Sequence, residues 1–214
     1  GLARRRIFHE RENQGYTRGM LTVALVCVPG GIYNLSHVER LFAQVRKHLS
    51  MPFKEHVILE SDKPGWFAKI DLFQPARLAG RVLYLDLDST VIGSLDDLAM
   101  FPAPFSIIKN FKEIKEPDKA RFNSSVMSWD AGSADHLFTN FTPDVMDRMN
   151  GDQDFISEQM PDAATFPGDW CVSYKVRRYA KLSTMPKDAR VVCYHGQPKP
   201  FELPDNDIER FTFV

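Results

Sequence analysis

From Met20 onward the chain alternates short apolar runs with segments whose apolar residues recur at helical spacing. Leu21 to Val28 is apolar and rich in valine, which predicts a buried strand ended by Pro29-Gly30-Gly31. Leu35, Val38, Leu41, Phe42, Val45 and Leu49 then fall on one face of a helix, with Ser36 near its start as a cap. His56 to Leu59 predicts a second strand, Trp66 to Phe73 a helical segment stopped before Pro75, and Arg81 to Leu85 a third strand. Strands alternating with helices imply crossovers within an α/β sheet. The second half is less regular. Pro104 to Lys109, Phe122 to Trp129, Trp170 to Tyr174 and Val191 to Tyr194 read as strands, Pro143 to Met149 and Asp154 to Met160 as helices, and the polar stretch Asn110 to Ala120 as a loop.

There is no internal repeat, low-complexity tract or linker, so residues 20–214 read as one domain preceded by an extension or tag at 1–19. That leading stretch is basic and polar and lacks the apolar centre of a signal peptide. No apolar run approaches the roughly 20 residues of a membrane span. A formal charge of −1 leaves no excess of basic surface, which argues against nucleic acid as a partner. The three cysteines, Cys27, Cys171 and Cys193, form neither a CxxC pair nor a disulfide framework. Cys27 and Cys193 lie in strand-like apolar runs as buried thiols, and a reducing cytoplasm is the expected setting.

The chemistry concentrates where the third strand runs into Asp86-Leu87-Asp88-Ser89-Thr90. Two carboxylates one residue apart at a strand's carboxyl end serve two chemistries. As a DxD turn they supply hard oxygen ligands for a divalent ion under a nucleotide diphosphate. As the DxDxT signature of haloacid-dehalogenase-type phosphatases, Asp86 is the nucleophile, Asp88 its acid/base and Thr90 a support. Phosphatases of that type open with the motif on their first core strand, whereas here the α/β structure from Leu21 to Gly80 comes first. Their later acidic pair follows an apolar strand, but Gly151-Asp152-Gln153-Asp154 follows an amphipathic helix.

An apolar strand into a loop, a helical lysine (Lys69), the DxD, Phe122-Asn123-Ser124-Ser125-Val126, Asp152-Gln153, and His195 followed by Lys199-Pro200 occur in that order between Leu21 and Phe201. In this the chain resembles glycosyltransferase family 8, the glycogenin and lipopolysaccharide galactosyltransferase family. The resemblance implies a GT-A-type α/β fold, a mixed central sheet flanked by helices. It also implies a nucleotide-sugar-binding half (20–100) and a half for the donor sugar and acceptor (101–214).

By that resemblance Asp86, Asp88 and His195 are metal ligands, for Mn2+ in preference to Mg2+ because a histidine is in the shell. Lys199 meets the diphosphate. Lys69 faces the donor and binds its sugar or its phosphates, Asn123 and Ser124 lie against the donor sugar, and Asp152 and Gln153 stand near the anomeric carbon. Pro29, Gly30, Tyr33 and Asp62 flank the nucleobase and ribose, with Asp86 also reaching the ribose. Each has a plainer reading too: Lys69 as an exposed helix lysine, Asn123-Ser124 as a turn, Asp152 as a helix cap, His195 as structural, and Trp170, Tyr174 and Lys175 as core aromatics beside a surface charge rather than an acceptor wall. The His195-to-Lys199 interval is two residues shorter than the family's, and Phe201 stands where the family has Trp. The implied reaction moves a hexose from a nucleotide diphosphate sugar, UDP-linked, to a hydroxyl of a glycan, lipid-linked or protein acceptor, with retention at the anomeric carbon. A phosphatase using Asp86 is the alternative.

Overall fold

The computed structural model describes residues 20–111, 121–204 and 207–214; the expected extension at 1–19 and most of the expected loop at 110–120 lie outside them. In chain order the first half runs β1 (Leu21–Val26), α1 (Leu35–His48), β2 (Phe53–Ile58), a 3-10 helix (Gly65–Phe73), β3 (Arg81–Leu85), β4 (Ser89–Val91) and α2 (Asp96–Ala99). The second half continues with β5 (Phe105–Lys109), β6 (Phe122–Asp130), α3 (His136–Thr139), α4 (Pro143–Arg148), α5 (Asp152–Gln159) and β7 (Ala164–Thr165). It ends with β8 (Cys171–Ser173), α6 (Tyr174–Tyr179), β9 (Thr184–Met185), β10 (Val191–Cys193) and β11 (Thr212–Phe213).

The central sheet has the order β2-β1-β3-β6-β5-β7. β2, β1 and β3 are parallel, as βαβ crossovers require, and all five residues of β3 are buried because both faces of the sheet are covered. β6 runs antiparallel to β3 and β5, which makes the sheet mixed. A second sheet, β4-β10-β8, branches off directly after the DxD. It packs Val91, Cys171, Val191 and Cys193 into the same core as Leu21, Leu25, Leu83 and α1. All three cysteines are free and buried, and burial raises their thiol pKa values, so they are packing groups.

Local differences from the sequence reading have physical causes. The first helix is capped by Asn34 rather than Ser36: Asn34 Oδ1 accepts from the Ser36 amide at 2.9 Å, and His37 Nδ1 accepts from the Asn34 amide at 3.1 Å. β2 begins three residues earlier than expected, because its polar residues Lys54 and Glu55 pair with β1 along an edge that faces solvent. Trp66 to Phe73 lies in a nine-residue 3-10 helix, an unusual length for that form. Tyr174 belongs to the core, wholly buried and stacked on Tyr194 at 4.6 Å, while Trp170 lies under the Arg190 guanidinium at 3.9 Å. Among the described residues no helix is long and apolar enough to cross a membrane.

Candidate active site

Five hydrogen bonds to the backbone set the DxD turn in place at the carboxyl end of β3. The Asp86 amide donates to the Ser125 carbonyl at 2.8 Å, and the Ser89 amide closes the turn onto the Asp86 carbonyl at 3.0 Å. The Tyr194 amide reaches the Asp88 carbonyl at 3.1 Å, tying the end of β10 to the turn. From α1, Arg40 Nη2 donates to the carbonyls of Leu87 and Ser89 at 2.8 and 3.0 Å. The β5–β6 register slips between Ile107 and Ile108, from Met127 to Asn123. That irregularity lets Asn123 to Ser125 leave β5 and meet the turn, the common use of such irregularities beside sites.

Asp86, Asp88, Lys69, Asn123, Ser124, Asp152, Gln153, His195 and Lys199 all line one cavity of about 400 Å³, together with Trp66, Ser125, Asn150, Gly151, Asp154, Gly196 and Gln197. Two lysines neutralise it. Lys69 is buried, so the surface-lysine reading does not hold. Its Nζ stands 3.1 Å from Asp86 Oδ1 and 3.1 Å from Asp152 Oδ2, and donates to Ser124 Oγ at 2.9 Å. Burial disfavours its ammonium, but the charges of Asp152 and Asp86 outweigh that and hold its pKa above the ordinary lysine range. Asp152, equally buried, has its pKa raised by burial, which the Lys69 charge only partly offsets. The directions are consistent, since the lysine faces two carboxylates while Asp152 faces one ammonium and a second carboxylate.

At the other end Lys199 Nζ donates to Asp88 Oδ2 at 2.5 Å and to the Tyr194 carbonyl at 3.2 Å. Tyr33 Oη donates to the same Asp88 oxygen at 3.0 Å. Burial, and then the nearby Asp86 charge, raise the pKa of Asp88. Tyr33 also meets Phe201 edge-on at 6.1 Å, and Phe201 lies 4.5 Å from the His37 ring, so the stretch after Lys199 folds back over the start of α1. His195 Nε2 and Ser173 Oγ are 2.6 Å apart, and the imidazole stacks on Phe111 at 5.4 Å.

The remaining expected residues are placed differently. Pro29 and Gly30 are exposed in the turn after β1, where Gly30 takes φ +93, and they are not among the residues lining the cavity. Asp62 points to solvent and pairs with Lys63 at 2.9 Å, so nothing holds it toward the cavity. Three contributors escaped the sequence reading. Tyr84 donates to Asp86 Oδ1 at 2.5 Å; its signal is the strand period, two residues before Asp86 on the same face. Arg40 carries no local signal. Trp66 stands three residues before Lys69, which is one turn of a 3-10 helix and therefore the same face.

The DxD implies a divalent cation, and the donor set suits one: two carboxylates with hard oxygens, and an imidazole, on one cavity. Among the described residues no three such ligands converge on a point. The Lys199 ammonium instead occupies Asp88, so the carboxylates fit a cation that displaces Lys199.

A mixed sheet of this order, with a DxD turn at the end of its third strand facing a polar cavity, is the GT-A fold of glycosyltransferases. No family model and no curated protein matches the sequence. Solved structures do match it. The glycosyltransferase GlyE of Streptococcus pneumoniae superposes with a TM-score of 0.59 at 14% identity, over 84% of this chain and 56% of that one, so this chain spans little more than half of GlyE. The galactosyltransferase LgtC, in complex with donor and acceptor sugar analogues, gives a TM-score of 0.55 at 14% identity over 84% of this chain and 88% of that one. An active-site variant of LgtC gives 0.59 at 14% identity. At these identities the likeness is one of fold.

Proposed function

We propose that this chain is a glycosyltransferase that moves a hexose from a nucleotide diphosphate sugar, UDP-linked, to an acceptor hydroxyl with retention of anomeric configuration. The observation that carries it is the convergence of Asp86, Asp88, Lys69, Asp152 and Lys199 on one cavity beyond the carboxyl end of β3, in a fold it has in common with glycosyltransferases. LgtC, a galactosyltransferase crystallised with donor and acceptor sugar analogues, supports the sugar-nucleotide reading by analogy of fold.

In this reading Asp86 and Asp88 hold Mn2+ or Mg2+, with His195 as the third ligand. The ion supplies Lewis-acid neutralisation of the leaving diphosphate. Lys199 exchanges Asp88 for the diphosphate and stabilises the charge that develops as the bond from the anomeric carbon to the phosphate oxygen breaks. Lys69, Ser124 and Asp152, with Asn123, orient the hexose through its hydroxyls, and Gln153 lies beside the anomeric carbon. The acceptor oxygen forms the new bond and its proton passes to the departing phosphate oxygen. Two features favour this over inversion by a carboxylate base: Asp152 is paired with Lys69, and Asp154 accepts from the Asn150 amide and side chain, both at 3.2 Å.

The phosphatase alternative loses support. The motif ends the third strand rather than the first, and Thr90 sits in β4 opposite Val192, not among the residues lining the cavity. Nucleoside diphosphate release from a panel of UDP-, GDP- and dTDP-sugars with Mn2+ is the test. One donor is expected to react, with the reaction lost in Asp88→Asn and with EDTA; cleavage of a simple phosphomonoester without any nucleotide release overturns the proposal.

A further inference from the structure

We propose that Trp66 is a stacking platform for an acceptor sugar ring, so that this chain glycosylates a carbohydrate. The inference rests on the glycosyltransferase reading above and names the acceptor class it leaves open. Trp66 is 68% exposed, whereas Trp129 is 2% exposed and Trp170 is half-buried with Arg190 over its ring. A single exposed apolar side chain is ordinary on a protein surface, but this one stands on the wall of the polar cavity.

Its position in the cavity selects the acceptor. The 3-10 helix carries Trp66 and Lys69 on one face, with Lys69 buried at the floor and Trp66 at the mouth. The floor made by Lys69, Ser124 and Asp152 is charged, buried and lined with hydrogen-bonding groups, which suits the hydroxyls of a donor hexose. The indole leans over the N-terminus of α5, where Gly151 presents only backbone: a Cβ there would lie 3.7 Å from Trp66 Cε3. Asn150 and Asp154, hydrogen-bonded to each other, line the same cavity with an amide and a carboxylate. An apolar, electron-rich ring face bordered by such groups matches a pyranose, whose face carries C–H groups and whose rim carries hydroxyls. A serine or threonine side chain offers no ring to stack.

The experiment is a titration of wild type, Trp66→Phe and Trp66→Ala with lactose, maltose, cellobiose and methyl glycosides, following tryptophan emission, alongside sugar-stimulated nucleoside diphosphate release. At least one sugar is expected to perturb the emission of wild type and not of Trp66→Phe, because Trp129 is buried and Trp170, half-buried under Arg190, does not line the cavity. Trp66→Ala is expected to raise the half-saturating concentration of that sugar about three- to tenfold, with a much smaller change for the donor, and Trp66→Phe to restore most of the affinity. No response to any sugar, a response that persists in Trp66→Phe, or equal effects of Trp66→Ala on donor and sugar would overturn the proposal. Failure of the glycosyltransferase reading itself looks different: wild type would then release no nucleoside diphosphate from any donor.

Discussion

Replacing Lys69 with methionine keeps the side chain's length and apolar stem and removes only the ammonium that separates Asp86 from Asp152. The ammonium stands 3.1 Å from each carboxylate, and Lys69 and Asp152 are both buried, so only the cavity side of the pair is open to water. Removing one partner of a buried ion pair costs about 3–5 kcal/mol, because the other charge is left desolvated and unpaired. For a chain of 214 residues that lowers the melting temperature by roughly 6–20 °C. The loss depends on pH. Without Lys69, burial and Asp86 push the Asp152 pKa further above its unfolded value of 3.8, so the folded variant holds its proton more tightly than the unfolded chain. The destabilisation is therefore fully present above the folded pKa and shrinks as pH falls toward the unfolded one. Thermal melts followed by circular dichroism at about pH 7.5 and about pH 5 measure both effects, and Lys69→Met/Asp152→Asn closes a double-mutant cycle. The expected result is a large loss at the higher pH, a smaller one at the lower, and partial recovery in the double variant. A Lys69→Met protein within about 1 kcal/mol of wild type, or a double variant no more stable than the single, would refute the buried-triad account.

Three more outcomes follow from particular contacts. Gly93→Ala places a Cβ 2.9 Å from the Ala189 carbonyl oxygen and 3.3 Å from Arg190 Cα, both backbone, so the junction of β4 and β10 has to move; denaturant unfolding should report a loss of about 1–3 kcal/mol. His56 has its pKa lowered from 6.5 to about 4, first by burial and then by Arg77 and Lys54; its stability contribution is full above 6.5 and lost as pH falls toward 4. Wild type should lose about 2–3 kcal/mol more than His56→Gln across that window in chemical denaturation. Lys199→Met frees Asp88 of its ammonium, so Mn2+ binding to nucleotide-free protein, counted by electron paramagnetic resonance of the free ion, should tighten about tenfold or more; unchanged binding would contradict displacement of Lys199 by the cation.

The α/β character was legible because it is written in periodicity: β1, β3 and α1 are apolar runs or stripes whose spacing admits one reading. The mixed direction of the sheet came from the family resemblance and not from periodicity, since Phe122 to Asp130 reads as the same apolar strand whether it pairs parallel or antiparallel with β3. At the site, chemistry-bearing residues in order along the chain pointed to the cavity, and nine of them line it. Pro29, Gly30 and Asp62 were chosen by position after a strand alone, and no side-chain contact holds Asp62 toward the cavity. Lys69 was ambiguous because an apolar helical segment carries a buried and an exposed lysine with the same letters; only its partners 17 and 83 residues further on decide between them. Arg40, which pins the DxD turn through backbone carbonyls, leaves no pairwise trace in sequence, since every residue has a carbonyl.

The most direct measurement is a crystal structure of the protein with UDP and Mn2+. The account predicts the diphosphate between Asp88 and Lys199, with the Lys199 ammonium moved from the carboxylate to the phosphate, the ion on Asp86 and Asp88, and open space beyond it against Lys69, Ser124 and Asp152. Nucleotide bound elsewhere, or Lys199 still closed on Asp88 beside a bound diphosphate, would contradict it.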